Sequence, residues 1–164
     1  MESIRYFRQL FEYDHWGNQA ALASLSSIAG PVGMPLKVLS HILGGQRVWR
    51  ARFDYPNPPK AQPWPVLTQE ECRSGIDEVY QRWVELLDKF SDEKLSHNLV
   101  YHTTQGAKFE TRIRDVLTHL LMHSAYHRGQ VAAAVREAGG KPAATDYVVY
   151  LRQRKQEEQL KRAE

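Results

Sequence analysis

The sequence predicts an all-α fold: a four-helix bundle with a short β-hairpin between its third and fourth helices and one further helix at the C-terminus. Two observations favour it. Four long segments repeat apolar residues every three or four positions, which is the period of a half-buried helix. A single stretch around Gln105-Gly106 has the pattern of two paired strands. Its 164 residues suit one domain, so we expect residues 1–164 to form a single unit.

Glycine and proline residues delimit the first two helices. We predict helix one from about Ser3 to Ile28, where the run Ala29-Gly30-Pro31 ends it. Helix two should run from about Pro35 to Phe53. The Pro-rich segment Tyr55–Pro65 that follows is predicted to be a loop.

Helix three is predicted from about Thr68 to Phe90. Thr68 and Glu71 have the spacing of a capping box, in which each side chain accepts a hydrogen bond from the other residue's backbone N–H. The hairpin strands should lie near Asn98–Thr103 and Lys108–Thr111.

Helix four is predicted from about Arg112 to Ala138, because Gly139-Gly140 is a typical helix end. A final helix from Ala144 to Lys155 should pack along the outside of the bundle. Four long helices with one hairpin crossover are typical of a helix bundle.

Composition excludes several classes of function. The net charge is only +3, and the basic residues form no stripe, so we expect no nucleic-acid partner. Cys72 is the only cysteine, which excludes an internal disulfide and a cysteine-based zinc site. A single cysteine fits a reducing compartment, so a cytoplasmic location is expected. No apolar run approaches the ~20 residues of a membrane span, and the N-terminus does not resemble a signal peptide.

Three histidines, His119, His123 and His127, are spaced four apart in the fourth helix. Residues four apart lie on one face of a helix, so His123 and His127 can direct two ring nitrogens at one point. A third metal ligand should come from a facing helix. His41 is the best candidate, because it lies among apolar residues of helix two, where an unpaired imidazole would be costly to bury.

His119 is a weaker candidate ligand. It is rotated by about 40° from His123 and lies about 12 Å along the axis from His127. We expect it to support the site or to lie at the helix edge. The spacing alone leaves two readings open: a metal site, or a helix with a polar edge and hydrogen-bonded histidines. The HExxH zinc-protease motif is absent, since Ser124 follows His123.

The segment His119–Val131 closely resembles the fourth-helix motif of the DinB family, also called DinB/YfiT-like proteins. The resemblance covers essentially the whole chain. One departure is Gly17, where the family often has Ala; it should affect helix propensity by about 1 kcal/mol rather than chemistry. Further matching motifs are Tyr13–Asn18, Leu39–Leu43 with Trp49–Arg52, and Pro142 with Thr145–Tyr147.

The resemblance implies a bundle with up-down-down-up connectivity and a divalent metal ion held by His41, His123 and His127. Zinc or nickel is favoured, with manganese or iron also compatible with nitrogen ligands. Characterised relatives include thiol-dependent S-transferases and isomerases. The expected function is therefore transfer of a low-molecular-weight thiol to a small-molecule substrate, in which a metal-activated thiolate attacks an electrophile. A homodimer is also implied.

A different class of function stays open: a stress-response bundle that binds metal or a small ligand without turnover, since fold does not determine function. Hydrolytic or isomerising chemistry is a further variant of the enzyme hypothesis. DNA binding is suggested only by the family's name, and the small net charge argues against it.

Several other side chains receive weaker assignments. Arg128 is expected to form an ion pair at the bundle surface, Gln46 to be a packing residue, and Gln130 to hydrogen-bond across the bundle. Tyr126 should pack with a partner for its hydroxyl group. Trp16 and Trp49 are expected in the core.

Overall fold

The computed structural model describes residues 3–55, 62–103 and 105–162. These residues form mainly helices. The helices are α1 (Ser3–Ser24), α2 (Gly33–Asp54), α3 (Gln69–Asp88), α4 (Ile113–Glu137) and α5 (Tyr147–Lys161), with short 3₁₀ turns at Leu25–Ser27 and Glu93–Ser96. Strands β1 (Asn98–His102) and β2 (Lys108–Arg112) pair antiparallel, with Val100 opposite Glu110.

Most predicted boundaries agree with the structure within a few residues. The last turn of the predicted first helix is the 3₁₀ turn, and residues 56–61 of the predicted Pro-rich loop lie outside the described residues. The final helix was predicted to begin three residues and to end six residues earlier than α5 does. Thr145 is held outside the helix, where its carbonyl accepts a 2.8 Å hydrogen bond from the Tyr13 hydroxyl. The Asp146 carbonyl then accepts the first bonds of α5, from Val149 and Tyr150.

The capping box predicted at the start of α3 is present. The Thr68 hydroxyl oxygen accepts from the Glu71 backbone N–H at 3.2 Å, and the Glu71 carboxylate accepts from the Thr68 backbone N–H at 2.7 Å. The bond from the Thr68 backbone also lowers the pKa of Glu71. Two N–H groups that a helix start would leave unpaired are thereby satisfied.

The helix directions confirm the up-down-down-up connectivity. α1 packs antiparallel to α3, α2 packs parallel to α3 and antiparallel to α4, and α4 runs parallel to α1. The contacts that fix these directions are Arg8–Asp88 and His15–Asp77 for α1 and α3, Arg47–Glu78 and Arg50–Arg82 for α2 and α3, His41–His127 and Trp49–His119 for α2 and α4, and Asp14–Arg128 and Ser27–Lys141 for α1 and α4.

One apolar core joins the four long helices. Phe11 and Trp83 stack at its centre with ring centroids 5.2 Å apart, and Trp83 is fully buried. Trp16 and Trp49, which were expected in the core, are only half-buried. α5 packs on the outside, as predicted, with Tyr150 as its buried anchor. Within the described residues, no helix carries an apolar stretch long enough to cross a membrane.

A buried polar layer crosses the bundle beside this core. Arg128 is 2% exposed and donates from Nη1 to the carboxylate of Asp14 and to the Asn18 side chain. Gln46 donates to the same carboxylate at 2.6 Å and to the Ser124 hydroxyl at 3.0 Å. The Arg128 ion pair was expected at the surface and is buried instead, and Gln46 is a hydrogen-bonding residue rather than a packing one.

Gly17 makes room for this layer. A methyl group at Gly17 would lie 2.9 Å from Arg128 Nε, closer than packed atoms approach. The glycine therefore has a packing role beyond its effect on helix propensity. Burial by itself lowers the pKa of Arg128, but the neighbouring Asp14 and Tyr13 outweigh it and raise the pKa above its usual value.

We expect Asp14→Ala to lower the free energy of unfolding by about 3–5 kcal/mol, because it leaves the buried Arg128 charge unpaired. The double variant Asp14→Ala/Arg128→Met should lose clearly less than the sum of the two single changes. Urea denaturation of the full cycle measures this. Arg73→Ala, which breaks an exposed pair with Glu70, is the control and should change stability by less than about 0.5 kcal/mol. A loss of under about 1 kcal/mol in Asp14→Ala would contradict the assigned role.

Candidate metal centre

Three histidine side chains meet between α2 and α4. His41 comes from α2, and His123 and His127 come from adjacent turns of α4. Each offers a ring nitrogen within 4.8 Å of the other two, and the Nε2 atoms of His41 and His123 are 3.2 Å apart. The group could hold a metal ion, and it is the trio that the sequence selected.

Hydrogen bonds fix how two of the rings are presented. His41 Nδ1 lies 2.6 Å from the Pro63 carbonyl oxygen, which can only accept, so Nδ1 donates and Nε2 keeps its lone pair. His127 Nδ1 donates in the same way to the Gln130 side-chain oxygen at 2.7 Å. Gln130 was expected to bond across the bundle; it instead orients a histidine on its own helix. Such outer bonds are typical of metal-binding histidines.

The spacing of the nitrogens suits a small divalent cation. Ligands about 2.0–2.1 Å from a tetrahedral ion lie about 3.3 Å from one another. The observed 3.2 Å between His41 and His123 is close to this value. Imidazole nitrogen is a ligand for zinc, nickel, copper and iron. The residues present therefore fit a divalent ion with positions left for other ligands.

The surroundings of His41 and His123 favour the neutral imidazole, which is the form that binds metal. Burial, the largest cause, and the neighbouring His127 and His41 together lower the pKa of His123 to about 4. Burial also lowers the pKa of His41, although its hydrogen bond to Pro63 acts the other way. Proton competition for these nitrogens is thus reduced at neutral pH.

Two consecutive glycines of α2 allow the segment around Pro63 and the His123 ring to lie directly against this helix. A methyl group at Gly44 would lie 2.6 Å from the Pro63 carbonyl oxygen and 2.5 Å from Pro65 Cδ. A methyl group at Gly45 would lie 3.0 Å from His123 Cε1. Neither glycine was assigned a role from the sequence, although glycine is the residue that permits a close approach to the backbone.

The segment around Pro63 also covers the trio. Trp64 stacks on His41 with ring centroids 3.7 Å apart and planes 9° from parallel, and it remains 48% exposed. Sequence analysis missed it, because a tryptophan in a Pro-rich loop has no helical spacing that relates it to a histidine. Tyr126 packs edge-on against His127 with ring centroids 5.1 Å apart and is 66% exposed, but no described residue hydrogen-bonds to its hydroxyl group as was expected.

His119 lies beside the trio. Its ring is 5.8 Å from that of His123 and 5.5 Å from that of Trp49. The one-turn displacement expected from the helix geometry keeps it out of the group. Burial lowers its pKa, and the charge of Arg52 lowers it further.

We expect Gly44→Ala to displace Pro63 and Pro65, because the clashing atoms belong to backbone and a proline ring that cannot turn away. The variant should lose stability and bind divalent metal at least about tenfold more weakly, since the orienting bond to His41 is lost. Gly129→Ala is the matched control, because nothing lies within 4 Å of the added methyl group. It should bind metal normally and gain up to about 1 kcal/mol of stability. Thermal unfolding and zinc titration test both variants; equal behaviour would contradict the role of Gly44.

We expect metal-free protein to lose stability as the pH falls. The pKa of His123 is about 4 in the folded state against an ordinary value of 6.5. As the pH falls, His123 is therefore protonated in the unfolded chain at a higher pH than in the folded protein. The free energy of unfolding decreases between about pH 6.5 and pH 4 and does not change above that range on account of His123. Chelator-treated protein in urea at several pH values measures the effect. His123→Gln should show a smaller fall, and an identical fall would contradict the assignment to His123.

Comparisons with known proteins agree with this architecture. The sequence profile of the DinB family matches residues 18–159. The chain is 25% identical to Protein DinB of Bacillus subtilis (strain 168) over 158 residues, covering 87% of this chain and 92% of that protein. A crystal structure of a DinB-like protein from Bacillus cereus ATCC 10987 superposes with a TM-score of 0.66 at 23% identity, over 88% of this chain and 99% of that one, and so shares the fold. Because the family profile covers most of its length, this chain belongs to the DinB family.

Proposed function

We propose that this protein is a divalent-metal-dependent enzyme that transfers a low-molecular-weight thiol to an electrophilic small molecule. The observation that carries the proposal is the convergence of His41, His123 and His127, with two of the three rings oriented by outer hydrogen bonds. Zinc and nickel are the favoured ions, and manganese and iron are compatible. A homodimer, a cytoplasmic location and a single-domain organisation belong to the same proposal.

The trio supplies three neutral ligands, which leaves positions on a bound ion for a thiol or water. The ion would lower the pKa of a coordinated thiol, so that a thiolate is available at neutral pH. In the transfer reaction the sulfur electron pair forms a bond to the electrophilic carbon, the leaving group departs with its own pair, and the thiol proton passes to solvent.

The protein's own part is orientation and partial exclusion of water. Pro63 and Gln130 hold two rings so that Nε2 faces inward, and burial keeps His41 and His123 uncharged. Trp64 covers the outer face of His41 and reduces the access of water to that side.

The first test is elemental analysis of untagged protein after reconstitution with zinc or nickel. About one ion per chain is expected in the wild type, with loss of binding in His41→Ala and in His123→Ala, because two remaining nitrogens leave most of the coordination shell unfilled. His97→Ala is the control: His97 is exposed on the hairpin side of the molecule and should leave the metal content unchanged. No metal in the reconstituted wild type would overturn the proposal.

The second test separates an enzyme from a protein that only binds metal. Thiols added to the cobalt-substituted protein should produce sulfur-to-metal charge-transfer absorption, and the loaded protein should then consume thiol in the presence of an electrophile such as a chloro-dinitroarene. His123→Ala should show neither signal. Metal binding without any response to thiols would favour the non-catalytic alternative.

A further inference from the structure

Arg52 is a largely buried cation without a partner among the residues that the structure describes. Three arginines follow one another on α2, and two of them are paired. Arg47 donates to Glu78 at 2.6 Å, and Arg50 donates to Asp54 at 2.6 Å. Arg52 is 9% exposed, yet no hydrogen bond or salt bridge joins it to any described side chain or backbone group.

Two aromatic rings hold the guanidinium group of Arg52. Its central carbon lies 4.2 Å from the Trp49 ring centroid and 4.9 Å from the Tyr101 ring centroid. The two rings are 4.8 Å apart and nearly T-shaped. Contacts of this kind cover part of the guanidinium surface and leave its N–H groups to act as hydrogen-bond donors. The cation is therefore held in place with its donors uncommitted.

Electrostatics agree with this geometry. Burial lowers the pKa of Arg52, and only the nearby Tyr101 acts in the opposite direction. A partly desolvated cation is unfavourable unless an anion compensates for its lost hydration. No carboxylate among the described residues forms a salt bridge with Arg52, whereas Arg47 pairs with Glu78 and Arg50 pairs with Asp54. An external anion would supply what is missing.

Arg52 lies on the same flank of the bundle as the three histidines. His41, Gly45, Trp49 and Arg52 follow one another at steps of four, four and three, which places them along one face of α2. Opposite them, His119 lies between Trp49 and His123. The guanidinium stacks on Trp49, which is eight residues beyond His41, or about 12 Å along the helix axis.

We propose that Arg52, held against Trp49 and Tyr101, binds the carboxylate of an elongated ligand whose other end binds at His41, His123 and His127. A carboxylate fits better than a phosphate. It is planar, carries one charge and accepts two parallel N–H bonds from one guanidinium, whereas a phosphate carries more charge than one cation offsets. The position of the ligand's other end rests on the function proposed above; the anion site at Arg52 does not.

The separation of the two sites sets the size of the ligand. A span of about 12 Å corresponds to three or four extended residues of a peptide. The geometry therefore favours a peptide-sized thiol or an electrophile with a terminal carboxylate over a very small thiol. Discrimination among substrates would then depend on the distance between the sulfur and the anionic group.

The first experiment examines Arg52 without any metal. In chelator-treated, ¹⁵N-labelled full-length protein, the Nε–Hε resonance of Arg52 is identified by its loss in Arg52→Met. Hexanoate should shift this resonance saturably and leave that of Arg47 unchanged, while hexanol should shift neither. No saturable shift at Arg52, or an equal shift at Arg47, would overturn the proposal. Tighter binding of hexyl phosphate than of hexanoate would overturn the choice of carboxylate.

The second experiment links the two sites in cobalt-substituted protein. Mercaptocarboxylates of increasing chain length are compared with mercaptoalcohols of the same length, using the charge-transfer absorption to measure binding. At a length that spans about 12 Å, the carboxylate should bind about tenfold more tightly. Arg52→Met should abolish that advantage without changing the affinity for the alcohols, Arg52→Lys should retain part of it, and the control Arg47→Met should retain all of it.

The outcomes separate this inference from the proposed function. If no thiol binds at the metal but hexanoate still binds at Arg52, the proposed function fails. The anion site at Arg52 is then supported, but its link to the three histidines is not. If thiols bind at the metal and the carboxylate advantage is absent, or is unchanged in Arg52→Met, the inference is overturned and the function stands. A purely structural Arg52 would lower the melting temperature on substitution and leave the ratio of acid to alcohol affinity unchanged.

Discussion

The buried ion pair between Arg128 and Asp14 is the interaction on which the rest of the structure depends. It joins α4 to α1 inside the bundle, and Gln46 extends it to α2 by donating to the same carboxylate and to Ser124. Breaking such a pair leaves a buried charge with neither a partner nor water, which is strongly destabilising. Any shift of α1 or α4 that separates Arg128 from Asp14 is therefore disfavoured. Buried polar groups of this kind specify one register where an apolar core would tolerate several.

The three-histidine group is built directly on this layer. Ser124 follows His123 in the chain, and Arg128 follows His127, so one turn of α4 presents histidines at one face and anchoring groups at the next. On α2, Gln46 follows Gly45, whose missing side chain admits the His123 ring. The turn of α4 that carries His123 and His127 is therefore held by bonds made one residue away from each histidine. A ligand set held in this way requires little reorganisation to receive an ion.

Sequence reasoning succeeded where local periodicity determines the outcome. The long helices, the hairpin, the capping box at Thr68 and the pairing of His123 with His127 follow from spacing that is visible within a few turns. His41 was selected instead from its place among apolar residues of helix two and from the family resemblance. Prediction from the sequence failed where a contact joins segments that are far apart in the chain. Arg128 and Asp14 are 114 positions apart, so nothing local distinguishes a buried pair from a surface one. The same holds for the contact between Pro63 and His41, and for the start of α5, which depends on a hydroxyl group from α1.

The parallel arrangement of α2 and α3 has a consequence for how such proteins diversify. The chain leaves α2 at Asp54, and by Pro63 it lies against Gly44, about 15 Å back along the helix. This return is obligatory, because α3 must start at the same end of the bundle as α2. The connection that topology demands thus lies against the three histidines on one side. Substitutions in this connection can reshape access to the histidines while the helices that carry them stay unchanged, so the connection and the helical scaffold can evolve separately.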